Sequence, residues 1–182
     1  MNVRVLCLVE QGFEEIETIT PIDLLRRAGI EVVAAAPGPD LRVTGRSQIT
    51  IEADALLGDA LATGPFDLLL IPGGPAVAAL RKNPRILTLI REFHQSGKTI
   101  AAICAAPLLL HDAGLLADRR FTAHASVRGD LPSALNDRVV EDPHGRLITS
   151  RGAGTSIDFS LAIITHLAGP SHAQAVATAI MA

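Results

Sequence analysis

The chain has 182 residues, of which 48% are hydrophobic, and its formal net charge is −3 at pH 7. This length predicts one domain, residues 1–182, with enough apolar side chains to bury a sizeable core. The slightly acidic balance, without a run of basic residues, excludes nucleic acid and an anionic membrane from the predicted partners.

The N-terminal residues and the cysteines indicate the cellular compartment of the protein and whether it binds a metal. The apolar stretch at residues 5–9 is too short for a signal peptide or a membrane span, so the sequence predicts a cytoplasmic protein. The two cysteines, Cys7 and Cys104, make neither a disulfide framework nor a metal-ligand pair. No His-x-x-His or Cys-x-x-Cys spacing supports zinc, and we therefore predict no metal.

Short apolar strands alternate with helices along the chain. Strands are predicted at residues 3–9, 30–36, 68–71 and 100–103, and helices at 16–28, between 75 and 95, and at 155–167. Period-two patterning predicts two hairpins, one around residues 43 and 49–51 and one pairing 139–141 with 147–149 across the turn 142–145. Continuous apolar strands separated by helices predict a mostly parallel sheet covered on both faces, with the site at the carboxyl ends of the strands.

Cys104 lies at a predicted turn between a buried strand, residues 100–103, and a helix with proline in its first turn. Ala102 and Ala106 flank it at the positions where nucleophile elbows use small residues, so that a strained turn can expose the nucleophile. Helix N–H groups pointing at the sulfur favour the thiolate, which predicts a thiol pKa below about 8.5. The alternative is a buried, inert cysteine, the role that we predict for Cys7.

Two glycines follow another predicted strand. Gly73 and Gly74 come directly after residues 68–71 and leave backbone N–H groups unshielded by side chains. They form either an anion-accepting nest or an ordinary strand-to-helix turn. Beside an elbow cysteine, the oxyanion role is the favoured interpretation.

Glu14 and Glu17 follow the first strand and, being three residues apart, share one face of the first helix. Pro21 cannot donate to the Glu17 carbonyl, so the helix is expected to kink or restart beside this carboxylate. A carboxyl near a thiolate and away from bulk water has a raised pKa, and its protonated form can donate to sulfur. We therefore predict Glu17 as the acid/base, while the alternative, an ordinary first-turn acidic residue, suffices for at least one of the two glutamates.

His124 is the histidine whose position indicates a site. It follows residues 121–123, which we expect to form a short strand. Helical or loop contexts predict solvated surface roles for His94, His144, His166 and His172, and helix geometry points His111 away from the site. The alternative for His124 is the same surface role.

Five motifs follow one another across nearly the whole chain: Glu14–Thr18, Pro21–Gly29, Leu70–Gly74, Ala101–Pro107 and Thr149–Thr155. Together they resemble the ThiJ/PfpI superfamily and, within it, the branch of the parkinsonism-associated protein deglycase. The resemblance implies a flavodoxin-like three-layer sandwich, a mostly parallel sheet with helices on both faces, that is usually a homodimer.

The same resemblance implies a catalytic set and a substrate-binding set. It implies Cys104 as the nucleophile, Glu17 as its acidic partner and His124 as a nearby polar group. The substrate-binding set consists of a second carboxylate and the groups that would line an oxyanion pocket: Glu14, Gly73, Gly74 and the Ala105 N–H.

Two departures from the superfamily's patterns narrow the activity. Ala105 stands where protease-like and many amidase-like members have a histidine, and Ser126 stands where glutamine amidotransferase relatives have a glutamate. Both disfavour a peptidase or glutaminase triad. What remains resembles the glyoxalases and deglycases of this branch, which need no metal, glutathione or other cofactor and act on a small reactive aldehyde, methylglyoxal or glyoxal, or on its early adducts.

Two other classes of function stay open at this point. A partly exposed cysteine with an adjacent acid also fits an oxidative-stress sensor or chaperone-like protein that works without turnover. A weaker alternative is an isonitrile hydratase-like hydro-lyase, which shares the sandwich and a nucleophilic cysteine. Turnover separates an enzyme from a sensor, because a sensor needs only stoichiometric modification.

Overall fold

The computed structural model describes residues 3–144 and 146–182. In these residues the strands are β1 (Arg4–Leu8), β2 (Glu31–Ala36), β3 (Arg42–Thr44), β4 (Thr50–Glu52), β5 (Ala55–Leu56), β6 (Leu68–Ile71), β7 (Thr99–Ile103), β8 (Val139–Glu141) and β9 (Leu147–Ser150). The helices are α1 (Glu15–Arg27), α2 (Leu57–Ala62), α3 (Ala76–Arg81), α4 (Pro84–Gln95), α5 (Pro107–Asp112), α6 (Ser156–Ala168) and α7 (Pro170–Ala179). Short 3-10 turns lie at Ala125–Val127 and Ala153–Thr155.

Seven strands form one sheet in the order β5-β2-β1-β6-β7-β9-β8. β8 runs antiparallel to β9, and the other neighbours pair in parallel. β3 and β4 form a separate antiparallel hairpin. The chain order reverses at β1, which has β2 on one side and β6 on the other, and such a switch point opens a crevice at the carboxyl ends of the two strands.

Two hydrophobic clusters fill the layers on either side of this sheet. Leu6 and Leu8 of β1 pack with buried residues of α2, α3, α4 and α5 on one face. Val5 and Cys7 pack with buried residues of α1, α6 and α7 on the other. Successive residues of a strand point to opposite faces, so a continuous apolar strand buries both of them. The predicted parallel sheet with helices on both faces is confirmed.

Helix α1 brings the first carboxylates to the strand ends. Glu14 is its N-cap, and the Glu14 Oε2 atom accepts a hydrogen bond of 2.8 Å from the Glu17 N–H. The helix continues through Pro21 to Arg27 as one element, so it does not restart, and the other expected outcome, a kink, stays a prediction. Proline removes a single intrahelical bond here, and Pro21 is buried on the core side of α1, where packing stabilises the helix.

Other expectations are confirmed or corrected locally. Residues 121–123 form no strand, because Thr122 makes only an isolated bridge to Leu135 and its N–H donates to Thr149 Oγ1 at 2.9 Å. The hairpin of β8 and β9 is confirmed, while Gly145 in its predicted turn lies outside the described residues. The helix α7 packs against α6. Within the described ranges, no helix is long and apolar enough to cross a membrane.

Candidate active site

A cavity of about 350 Å³ opens at the carboxyl ends of β1, β6 and β7, beside the switch point of the sheet. We call it the Cys104 cavity. The predicted site residues that line it are Glu14, Glu17, Gly74, Cys104, Ala105 and His124. Residues far apart in the chain therefore meet where the sheet topology places a ligand.

Cys104 adopts the strained backbone that a nucleophile elbow requires. Its φ is 66°, a left-handed conformation that is uncommon for any residue with a side chain. The neighbouring structure fixes this conformation at both ends of the residue: the Cys104 N–H donates to the Ser150 carbonyl at 2.9 Å, and the Cys104 carbonyl accepts from the His124 N–H at 2.9 Å. The side chain is half-buried at the cavity, so the predicted elbow is confirmed.

Glu17 is the acidic partner of this cysteine. Its side chain is almost fully buried, with 1% exposed, and is hydrogen-bonded to the Cys104 thiol. Its Oε2 atom also accepts from the Gly73 N–H at 3.0 Å, and the Ala153 N–H donates to the same carboxylate. Three contacts from three segments thus hold the carboxyl group against the sulfur.

The electrostatics of the pair differ from the expectation. Burial raises the pKa of Glu17 to about 7, and the negative charge of Glu14 adds to this rise. Burial also raises the pKa of Cys104 to about 12, together with the charge and the hydrogen bond of Glu17. The predicted depression of the thiol pKa is therefore wrong, because burial and Glu17 outweigh the backbone N–H groups of Ala105 and Gly74. In this arrangement Glu17 is a base that can take the thiol proton.

The glycines after β6 have two different roles. The Gly74 and Ala105 N–H groups point at the Cys104 sulfur, as expected for groups beside a reacting centre. The Gly73 N–H is taken by Glu17 instead, and this corrects its expected place in the oxyanion pocket. A methyl group at Gly73 would lie 2.5 Å from Glu17 Oε2 and 2.7 Å from Cys104 Cβ, so only glycine allows the pair to approach.

His124 lies at the exposed rim of the cavity. It caps the 3-10 turn Ala125–Val127, and its Nδ1 atom lies 2.8 Å from the Ser126 Oγ. A methyl group at Gly152 would lie 3.2 Å from His124 Cδ2, 3.6 Å from Glu17 Oε1 and 3.8 Å from Cys104 Sγ. The absence of a side chain at Gly152 therefore lets the imidazole, the carboxyl and the thiol converge.

Sequence reasoning missed Arg46, whose side chain also lines the cavity. It lies in the loop between β3 and β4, and its N–H donates to the Phe13 carbonyl at 2.9 Å. Glu15, which is 8% exposed, holds the same loop through a 2.7 Å bond from the Ser47 N–H to its Oε1 atom. Burial opposes ionisation of Glu15, but the backbone N–H groups of Ser47 and Ile49 outweigh it and lower its pKa. The sequence does not indicate where this hairpin docks, because its alternating pattern predicts only that β3 and β4 pair with each other.

Sequence reasoning also passed over Ser126 and Ala153, which line the cavity as well. The usable signal for Ser126 is its spacing of two residues from His124, which places a hydroxyl beside the imidazole. Within the described ranges, no group of three or more His, Cys, Asp or Glu side chains could hold a metal ion. Cys7 is buried in β1 and free, and its burial raises the pKa of its thiol far above the ordinary value.

Comparison with known proteins places this site in context. The profile of the DJ-1/PfpI family matches residues 3–166. The Parkinson disease protein 7 homolog of Danio rerio is 36% identical over 179 residues, covering 95% of this chain and 94% of that protein. The glutathione-independent glyoxalase DJR-1.2 of Caenorhabditis elegans is 36% identical over 169 residues, covering 91% of this chain and 88% of that protein.

Solved structures agree with the sequence comparisons. DJ-1beta of Drosophila melanogaster superposes with a TM-score of 0.91 at 35% identity, covering 100% of this chain and 98% of that one. An oxidised DJ-1 of Toxoplasma gondii superposes with a TM-score of 0.91 at 31% identity and covers 98% of both chains. The flavodoxin-like sandwich is thereby confirmed.

Proposed function

The chain belongs to the DJ-1/PfpI family, and from that premise we propose that it is a cofactor-independent glyoxalase or deglycase that acts on methylglyoxal or glyoxal. The observation that carries the proposal is the contact between the Cys104 thiol and the buried carboxylate of Glu17 at the floor of the cavity. A relative named as a glutathione-independent glyoxalase supports the same chemistry.

The first step is addition of the Cys104 sulfur to the aldehyde carbon. The S–C bond forms as the carbonyl π electrons move to oxygen, and Glu17 accepts the thiol proton in the same step. A carboxylate with a pKa of about 7 is well matched to this task, because about half of it is ionised at neutral pH while it still binds a proton firmly. The N–H groups of Gly74 and Ala105 lie beside the sulfur and stabilise the developing oxyanion.

The second step moves a proton between the two carbons of the hemithioacetal. Glu17 first gives the thiol proton to the oxyanion, which completes the hemithioacetal and restores the carboxylate. The carboxylate then removes the proton from the former aldehyde carbon to give an enediol and returns it to the neighbouring carbon, while the hydroxyl proton passes from the first oxygen to the second, which leaves a thioester of the hydroxy acid on Cys104. Water attacks this thioester, the S–C bond breaks, and the free thiol is restored. One water is consumed for each hydroxy acid released, and no metal, glutathione or other cofactor enters the balance.

The proposal is tested by following the conversion of methylglyoxal to lactate in glutathione-free buffer. We expect steady turnover by the wild-type protein and none by Cys104→Ser above the rate in buffer alone. Cys7→Ser is the matched control, because it makes the same replacement of sulfur by oxygen in a buried strand away from the cavity. It should keep the wild-type rate. Equal turnover by wild type and Cys104→Ser would remove the nucleophile from the proposal.

Within the same proposal, two substrates have to be distinguished: the free aldehyde and its early adducts. A deglycase would act on the hemithioacetal or aminocarbinol that an aldehyde forms with a thiol or an amine, whereas a glyoxalase removes the free aldehyde that is in equilibrium with it. Supplying the adduct with and without a chemical scavenger of free aldehyde separates the two, since only a deglycase keeps its rate when the scavenger is present.

An oxidation sensor is the second candidate, favoured by the half-buried thiol between two backbone N–H donors. These donors would bind the oxygens of a sulfenate or sulfinate formed when peroxide oxidises Cys104. One of the related structures is of an oxidised DJ-1. Peroxide would then modify one sulfur per chain without catalytic turnover, and the lactate assay distinguishes this outcome.

The proposed setting is a reducing cytoplasm, consistent with two cysteines that remain free. The proposed partner is a second copy of the chain. Ile16 and Ile19, on the outer face of α1, are 53% and 42% exposed, and a homodimer interface would cover such residues. Sedimentation equilibrium tests this, because a homodimer has twice the chain mass of 19.1 kDa.

A further inference from the structure

The imidazole of His124 makes both of its polar contacts through the same nitrogen. Its Nδ1 atom accepts a hydrogen bond of 3.2 Å from the Ser126 backbone N–H and lies 2.8 Å from the Ser126 hydroxyl oxygen. An N–H cannot donate to another N–H, so Nδ1 carries no proton and the hydroxyl is the second donor. A neutral imidazole holds one ring proton, which must then be on Nε2.

The other edge of the ring faces the reacting groups. The Cδ2 atom, which is bonded to Nε2, lies on the side of Gly152, and the Cys104 sulfur lies on that side as well. Ser126 and His124 both line the Cys104 cavity. The hydroxyl thus contacts one edge of the ring, while Cδ2 on the opposite edge, the atom bonded to Nε2, lies near the carboxyl of Glu17 and the sulfur of Cys104.

We propose that Ser126 is a positioning residue of this site, which holds His124 as the Nε2–H tautomer so that it donates a hydrogen bond to the substrate oxygen. The proposal rests on the proposed function for the substrate, but its structural part concerns His124 and Ser126 alone. In this state His124 has no free lone pair with which to remove the thiol proton. The base is then Glu17, whose contact with the thiol is already direct.

The identity of residue 126 decides which kind of histidine the site has. A carboxylate two residues after the histidine would favour the doubly protonated imidazolium through its charge. The serine hydroxyl carries no charge, and when Nδ1 is unprotonated it donates to that nitrogen and leaves the ring proton on Nε2 as a fixed donor. The structure therefore gives a physical reason for the serine at this position.

The tautomer is read directly by nitrogen NMR on the wild-type protein. Long-range proton–nitrogen correlations of histidine-labelled protein at mildly alkaline pH separate ring nitrogens with and without a proton, and His124→Gln assigns the signals. We expect the chemical shift of an unprotonated nitrogen at Nδ1 and of a protonated one at Nε2. A proton on Nδ1 would overturn the proposal whatever the activity of the protein.

Activity variants test the consequence for turnover. Ser126→Ala removes one hydrogen bond to the ring, and we expect kcat/KM for methylglyoxal to fall about three- to tenfold, mainly in kcat. Ser126→Thr restores the hydroxyl and should come within about twofold of wild type. Ser133→Ala is the matched control, because Ser133 is exposed and lies in the same connection between α5 and β8. This variant should not change the rate.

Each result decides the proposal. A wild-type rate in Ser126→Ala would overturn it, and so would an equal loss in Ser126→Ala and Ser126→Thr, because the hydroxyl would then not be the group that matters. If the wild-type protein has no turnover, the proposed function fails, while the NMR measurement still supports or overturns the role of Ser126. If Ser126→Ala does not fold, the wild-type spectrum alone decides.

Discussion

Glu17 shows at the scale of one residue how a site is held at the expense of stability. Its carboxylate is buried with 1% exposed, and its pKa is raised to about 7 from an ordinary value of 4.5. The unfolded chain loses this proton at lower pH than the folded chain does. The Glu17 carboxyl group therefore makes its full contribution to the free energy of unfolding at pH values below 4.5. This stabilisation is lost as the pH rises through about 7.

We predict that Glu17→Gln is more stable than wild type above neutral pH. The ionised carboxylate costs up to about 3 kcal/mol there, which corresponds to an increase of about 5–10 °C in the melting temperature of the variant. The difference should disappear near pH 4, where both proteins carry an uncharged group. Thermal unfolding followed by circular dichroism across this pH range checks the prediction.

Glu92→Gln on α4 is the control, because it removes the same formal charge from an exposed position. It should leave the melting temperature nearly unchanged at every pH. A Glu17→Gln protein that is less stable than wild type above neutral pH would show that the contacts with Gly73, Ala153 and Cys104 outweigh the burial of the charge.

The two cysteines should differ sharply in reactivity. Cys7 is 0% exposed in β1 and its pKa is raised far above the ordinary value by burial, whereas Cys104 is half-buried at an open cavity. We predict that iodoacetamide alkylates Cys104 alone in the folded protein and both thiols in denaturant. Peptide mass spectrometry locates the label, and modification of native Cys7 at a comparable rate would contradict the burial of β1.

The local sequence around Cys104 was sufficient to predict the elbow, because a short apolar strand, flanking alanines and a helix-starting proline are all local signals. The direction of its pKa was not predictable in this way. It depends on how deeply Glu17 and the thiol are buried together, which is a property of the assembled sheet. The same holds for the Gly73 N–H, whose donation to Glu17 depends on the docking of α1.

At the scale of elements, the junction between β6 and α3 fixes the start of α1. Gly74 has a φ of 91°, and a methyl group there would lie 2.7 Å from both the Glu14 nitrogen and the Gly12 carbonyl oxygen. Hydrogen bonds cross the same junction, from the Glu14 N–H to the Gly73 carbonyl and from the Ala76 N–H to the Gly12 carbonyl. A side chain at Gly74 would therefore push α1, which carries Glu17, away from Cys104.

We predict that Gly74→Ala lowers kcat/KM about tenfold to a hundredfold, since small displacements of reacting groups are that costly. Gly114→Ala is the matched control, because Gly114 also has a positive φ, 79°, but nothing lies within 4 Å of an added methyl group. Both variants should lose about 1 kcal/mol of stability from the left-handed backbone. Kinetics on the two purified proteins check this, and an equal loss of activity in both would contradict the role of the close approach.

Element boundaries were predictable where periodicity was long, as in α1 and the central strands. A restart of the helix at Pro21 and a strand at residues 121–123 are both absent from the structure. In the first case tertiary packing kept a helix together across a proline, and in the second a buried hydrogen bond from the Thr122 N–H to Thr149 replaced strand pairing. Both outcomes depend on neighbours that are distant in sequence.

At the scale of the whole molecule, alternation of apolar strands and helices was enough to predict a parallel sheet with its site at the strand ends. The order of the strands in the sheet could not be predicted in this way. That order places β1 beside β6 and β6 beside β7. That neighbourhood joins the carboxylates, the glycines and the cysteine in one cavity. The loop carrying Arg46 reaches this cavity only because the separate hairpin docks on the residues after β1.

If Cys104 and Glu17 act as one thiol–base pair, kcat/KM for methylglyoxal must follow the ionisation of the Glu17 carboxyl when it is measured against pH. For wild type we predict a rise through about pH 7, where Glu17 ionises, and a plateau above it. For Glu17→Gln we predict a rate lower by about two to four orders of magnitude and no inflection near neutral pH. A wild-type rate in Glu17→Gln, or the same inflection in both proteins, would show that Glu17 is not the base that takes the Cys104 proton.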